Sequence, residues 1–358
     1  MFDDFFRLHP ALVSIGKPLT LPRKNSTPPP NTKALLRLLI KGIPVVAMVL
    51  FCSCGETGAN VPERIARIPV DLEVHRFDRA FDTVAPEELP GLKARFPYLF
   101  PSQFPDSIWL AKKEDSLQTR LRAEVERVFP DFEPFARELE LFYKHVQFYF
   151  PDRPVPSVIT LTTDVDYQNR VVLADTLLLI GLDNYLGPDH PFYGNMDRYI
   201  AKSLDADFMM SDVAAAFARS VVPAPRERSF VGQMVYYGKI LYLKDQLLPL
   251  EPDSTKIGYT GEELQWAREN EAQIWRYLIE RELLYSTDRE LGPRFLDPAP
   301  FSKFRLELDN ESPGRIGRYM GWQIVRSYME ANPDTELRQL MELPGEALFR
   351  ESNYKPPR

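Results

Sequence analysis

The sequence predicts an α+β fold, a mainly helical single domain around a small mixed or antiparallel sheet. Three observations carry this. Apolar residues recur three and four apart over long stretches, the period of helices with one buried face. Runs of β-forming residues are confined to 70–77 and 155–181, too little for more than a small sheet. No internal repeat interrupts the body, and 44% hydrophobic content is enough to fill a core.

Element by element, Val70 to Phe77 alternates apolar and polar residues, the period of a half-buried strand. Ala80 to Phe100 reads as one or two short helices broken by Pro86, Pro90 and Pro97. Asp115–Phe129 and Phe132–Phe150 are stronger helices. The second carries an apolar face of Phe135, Leu139, Phe142, Val146 and Tyr149. Val155–Thr163, Arg170–Ala174 and Thr176–Gly181 are strands separated by Asp/Asn turns. Helices follow at Asp212–Val222, Arg226–Leu248 and Thr260–Ser286, the last opened by a capping box of Thr260 and Glu263. Ser312–Ala331 is a helix with Pro313 in its first turn, and a short one near Asp334–Glu342 ends the fold.

Ahead of this body the chain reads as an address. Lys33, Arg37 and Lys41 precede the apolar run Ile43–Phe51, a basic and then an apolar segment of secretory type. The run stops at Cys52-Ser53-Cys54, the only cysteines in the chain. Two cysteines so close cannot staple a fold. Phe51-Cys52-Ser53-Cys54 resembles a bacterial lipobox with Cys54 as the lipid acceptor, because Ser53 is small where Phe51 is bulky. Residues 1–53 are then a removed leader and signal peptide, 54–68 a lipidated cysteine and tether, and 69–358 the folded domain. Acylated Cys54 would hold the chain to a lipid bilayer. Gly55 stands where an inner-membrane retention Asp would be, and the domain is expected to face the periplasm; inner or outer membrane stays open.

A net charge of −7 gives no footprint for nucleic acid. The order of helices, short sheet and helices resembles gluzincin zinc peptidases, which need His-Glu-x-x-His to share one zinc. The four histidines, His9, His75, His145 and His190, never stand one helical turn apart. Where a zinc helix would fall, the sequence runs from Ser229 through Gln233 and Tyr237 to Lys239. No metal, cofactor or complete catalytic motif is therefore expected.

Two polar clusters are candidates for binding. Asp183 and Asn184 either form a turn or, with Tyr185, His190 and Tyr193, line a groove. From Phe301 to Tyr328, Gly314, Gly317 and Gly321 make a flat strip open to a close neighbour. Arg315, Arg318 and Arg326 there have Glu307, Asp309 and Glu311 as possible partners, either in structural pairs or around an anionic-ligand site.

These stretches, with His75-Arg76-Phe77-Asp78-Arg79 and Gly238-Lys239-Ile240-Leu241-Tyr242, resemble the gliding-motility lipoprotein GldB family of the Bacteroidota. Leu182–Gly187 with Pro191-Phe192-Tyr193, and Leu308–Gly317 through Val325, complete a match over nearly the whole mature chain. Tyr237 departs from the family, which carries an acid before Gly-Lys. The resemblance implies a degenerate gluzincin-like fold that has lost its zinc motif. It further implies an anchored envelope protein of the gliding and type IX secretion machinery, binding other components without catalysis. The expected cleft lies between the sheet edge and the Arg226–Leu248 helix, and its candidate residues are Asp183, Asn184, Tyr185, His190, Tyr193, Gln233, Tyr237, Lys239, Glu311, Arg315 and Arg318. A metal-dependent hydrolase with nonstandard ligands, or a glycan- or ligand-binding module, are the alternatives.

Overall fold

Strand β1 (Val74–Arg76) opens the sheet and pairs in parallel with β2 (Ser157–Leu161). β2 pairs in parallel with β4 (Leu177–Gly181), and β4 pairs antiparallel with β3 (Val171–Ala174). The order is β1-β2-β4-β3, so the sheet is mixed. A computed structural model describes residues 61–306 and 309–357 of the chain. The leader, Cys52, Cys54, His9 and Glu307 lie outside the described residues.

Side chains alternate across a strand, and the sheet divides two apolar clusters accordingly. Val158, Leu178 and Ile180 join the main core. Ile159, Leu177 and Leu179 pack on a smaller cluster with Phe81, Leu89, Phe96 and Phe100. That cluster is supplied by α2 (Phe77–Thr83) and α3 (Leu89–Arg95), which follow a short α1 (Glu63–Ala66). Ile65 of α1 is buried, so the folded body begins inside the stretch read as tether.

Three further helices precede β2. α4 (Asp106–Glu114) has no counterpart in the sequence reading. α5 (Ser116–Val128) starts where the Asp115 carboxylate accepts the Leu117 and Gln118 N–H groups at 2.9 Å. α6 (Glu133–Tyr149) carries Pro134 in its first turn and buries Leu139, Phe142 and Val146 on one face, as its spacing predicts.

After the sheet come α7 (Arg198–Ala201), α8 (Met209–Val221), α9 (Phe230–Leu247) and α10 (Asp253–Ile257). α9 starts four residues later than Arg226, where Ser229 Oγ caps the Gly232 N–H. The expected single helix from Thr260 to Ser286 is two, α11 (Gly261–Glu269) and α12 (Glu271–Glu280). Asn270 separates them by turning its side-chain amide onto the Trp266 carbonyl. The capping box forms as expected: Thr260 Oγ1 accepts the Glu263 N–H, and Glu263 accepts the Thr260 N–H.

α13 (Leu291–Phe295), α14 (Ile316–Ala331), α15 (Leu337–Glu342) and α16 (Gly345–Ser352) complete the chain. α14 does not begin at Ser312. Arg315 stands before it in the left-handed region, φ 63°, and Ser302 Oγ accepts the first helical N–H, from Ile316. The glycine strip meets other backbone throughout its length: Gly314 abuts Ala299, Gly317 abuts Phe295, and Gly321 abuts Met234 of α9. α16 was absent from the sequence reading, yet Leu348 is fully buried beneath it.

Candidate functional site

The sequence brings its two polar clusters to different fates. Asp183, Asn184, Tyr185 and Tyr193 are buried, at 0%, 0%, 0% and 2% exposure. Asp183 ends β4 as a clasp. Its carboxylate accepts the Thr163 N–H at 2.9 and 3.0 Å, the Thr163 hydroxyl at 3.2 Å and the Val165 N–H at 2.7 Å. Those bonds hold Asp164 and Val165 in the left-handed region, a costly place for a β-branched residue. Burial pushes Asp183 up to about 6 against the downward pull of the same donors. Asn184 Nδ2 donates to Thr163 Oγ1 and the Gly181 carbonyl. The Tyr193 hydroxyl donates to the Asp183 carbonyl and accepts the Leu186 N–H. His190 Nε2 stands 3.2 Å from Glu124 Oε2, with its side chain buried. Apart from the Asn184 bond to the Gly181 carbonyl, the Asp183 and Asn184 side chains reach the distant Thr163–Val165 segment rather than their own turn.

The residues expected on the Arg226–Leu248 helix are likewise separated. Gln233 donates to the Arg228 carbonyl. Tyr237 lies under the Arg318 guanidinium, 4.0 Å from ring centroid to carbon. Lys239 Nζ donates to the Met341 and Leu343 carbonyls at 2.9 and 2.5 Å, and burial pushes it down to about 8. It lines a cavity of about 350 Å³ between α9 and residues 341–345. Glu311 stands exposed at the rim of a separate apolar recess with Trp266, Tyr277 and Phe304.

Arg326 takes acids from outside its own stretch. It pairs with Asp245 at 2.8 Å and Asp253 at 2.9 Å, and its guanidinium stacks 3.7 Å from the Trp322 ring. Asp309 is spent on the Phe304, Arg305 and Leu306 N–H groups.

The remaining cluster is a charged cavity of about 510 Å³. Arg170, Lys202, Arg219 and Arg315 line it, with Asp212, Tyr167 and Tyr199. Each cation arrives from a different element. Arg170 precedes β3; its Nε and Nη2 hold Asp212 at 2.7 and 2.8 Å, and its Nη1 donates to the Ser203 carbonyl at 3.1 Å. The buried Tyr185 hydroxyl donates to Asp212 Oδ2 as well, at 3.0 Å. Lys202, after α7, is held by Glu263 of the capping box at 2.5 and 2.6 Å. Arg315 donates to the Gly258 carbonyl at 2.8 Å and lies 5.8 Å from the Tyr259 ring. Gly258 caps α10 at φ +73°, and an added Cβ would stand 3.2 Å from the Arg315 Nη2. Arg219 is exposed on α8.

Of the sequence candidates, this cavity takes only Arg315 into its lining, with Tyr185 beneath it and Arg318 near Arg315. Arg170, Lys202, Arg219 and Asp212 were missed. No local motif marks them, because they are spread over stretches that meet only in the fold.

Behind the cavity Lys244 is enclosed. Its Nζ donates to Ser211 Oγ and the Lys256 carbonyl, both at 2.7 Å. Burial pushes it down to about 7. Ser211 turns its own proton to the Thr255 carbonyl at 2.9 Å. Among the described residues, no three His, Cys, Asp or Glu side chains converge as metal ligands would.

Fold and site together define a helical α+β domain around a small mixed sheet, with a cavity lined by Arg170, Lys202, Arg219 and Arg315. The model of the family described as gliding motility protein GldB matches residues 59–356, and the chain belongs to that family. No curated protein and no solved structure matches it.

Proposed function

We propose that the chain is an envelope lipoprotein, anchored through acylated Cys54 and facing the periplasm, that serves gliding motility and type IX secretion as a non-catalytic binding component. The family match supports the motility assignment, and the lipobox-like Phe51-Cys52-Ser53-Cys54 supports the anchor. Among the described residues no helix is long and apolar enough to cross a membrane. The observation that carries the binding role is the state of the buried reactive groups. Asp183, Lys239 and Lys244 each face the hydrogen-bonding groups of their own fold, and the accessible polar cavity presents cations. Crosslinking in native membranes followed by purification of the chain tests the reading. Recovery of motility or secretion components is expected; their absence counts against it.

One contact favours a hydrolase instead. Lys244 and Ser211 have the separation of a base and a nucleophile, and Lys244 titrates near neutrality. The pair is buried at 6% and 3% exposure, and the serine proton points at a carbonyl. Labelling by a fluorophosphonate probe that disappears in Ser211→Ala would establish the enzyme reading.

A further inference from the structure

The chain is acidic, with net charge −7, yet the cavity of about 510 Å³ is cationic. Its one lining carboxylate, Asp212, is already held by Arg170 and Tyr185, and Lys202 is already held by Glu263. Arg219 and Arg315 have no carboxylate partner among the described residues. Arg315 donates only to a carbonyl, that of Gly258. Two further cations near this cavity hydrogen-bond to neutral oxygens. Lys244 faces Ser211 Oγ and the Lys256 carbonyl, and Arg318 Nε donates to the Leu296 carbonyl at 2.5 Å.

The consequence is a weaker hold on the proton at both. Burial pushes Lys244 down to about 7, with Arg219, Arg315 and Arg170 adding to it against the pull of Asp212. Burial also pushes Arg318 down to about 10, and Arg315 adds to it. Like charges packed at low dielectric raise the free energy of the site until an anion enters.

We propose that this cavity binds the oxyanion of a small ligand, a carboxylate or phosphate group, through Arg315 and Arg219. The proposal deepens the binding role given above, on which it rests for there being a ligand at all. A guanidinium offers parallel N–H donors that match both kinds of oxyanion, which a lysine does not. Arg315 is fixed for this by its bond to Gly258, so little freedom is lost on binding. Its volume suits a small ligand, in the range of roughly 300–1,000 Å³. Tyr167 and Tyr199 line the same cavity and offer hydroxyls and ring faces to the rest of the molecule.

Isothermal titration of the full-length chain in detergent tests this, with sodium phosphate and sodium succinate each compared with sodium chloride at equal ionic strength. Saturable binding of at least one oxyanion is expected. Arg315→Gln should weaken it at least about tenfold, the worth of a charge-assisted hydrogen bond. Arg219→Gln alters an exposed side chain, leaves the circular dichroism unchanged and should weaken binding in the same direction. A response to phosphate alone assigns a phosphate-bearing ligand, and a response to succinate alone assigns a carboxylate. No binding beyond chloride, or unchanged affinity in both variants, overturns the proposal. If motility partners are still recovered by crosslinking, such a failure removes the ligand class and leaves the binding role standing.

Discussion

Gly238 of α9 and Gly321 of α14 meet backbone to backbone: a Cβ on Gly238 would stand 2.2 Å from the Gly321 carbonyl oxygen. The contact is reciprocal in kind, since a Cβ on Gly321 would stand 1.9 Å from the Met234 carbonyl oxygen. Neither neighbour is a flexible side-chain end, so neither can yield without moving a helix. Gly321→Ala is therefore expected to destabilise the protein by about 3 kcal/mol or more, the upper range for overpacking. Urea denaturation followed by circular dichroism measures it; a loss under about 1 kcal/mol would show that the helices separate easily.

How much of this was legible in advance depended on distance along the chain. α5, α6 and the capping box at Thr260 are local patterns, and they form where period and spacing place them. The glycine strip was legible too, because glycines three and four apart leave a helix face bare. What failed was everything settled by tertiary partners. Tyr185 and Tyr193 read as groove aromatics by composition, but their hydroxyls find Asp212 and the Asp183 carbonyl inside the core. Arg326 was offered acids nearby and takes Asp245, on another helix, instead. The cavity cations come from separate stretches, so no single window of sequence contains the site.

Asp245 joins three elements through one carboxylate. It accepts from Arg326 on α14, from Lys256 on α10 and from Trp322 Nε1 at 2.9 Å. Asp245→Asn removes the charge that two cations share and keeps the shape. The remaining carboxylate, Asp253, is shared with Arg268 as well and cannot replace it. An expected loss of about 2–4 kcal/mol follows, toward the lower side for partly exposed partners. The midpoint of urea unfolding should fall accordingly, and an unchanged midpoint would show that the network contributes nothing.

Cys54 and Cys52 make opposite predictions although they are one residue apart. With Ser53 as the small residue before the acceptor, Cys54→Ser should abolish incorporation of labelled palmitate and release the chain from the membrane fraction. Cys52→Ser should leave both unchanged. Labelling lost only in Cys52→Ser would move the anchor to the other cysteine.

Asp183 and Lys244 give the stability opposite slopes in two pH windows. Burial raises Asp183 from 3.8 to about 6, so between those values the folded state binds the extra proton. Its stabilising contribution is complete below 3.8 and is lost as pH rises through about 6. Lys244 is lowered from 10.5 to about 7, so in that interval the unfolded state binds more protons and stability rises with pH. Each slope can reach about 1.4 kcal/mol per pH unit, the free energy of one proton. Subtracting the Asp183→Asn profile from that of the parent should leave a fall in melting temperature between pH 4 and 6. Subtracting the Lys244→Met profile should leave a rise between about pH 7 and 10. A flat Asp183 difference would place that carboxylate among groups its backbone donors keep charged, with the three N–H and hydroxyl partners outweighing burial. A flat Lys244 difference would mean that water reaches the ammonium, and the uncompensated charge behind the cavity would be relieved without any anion.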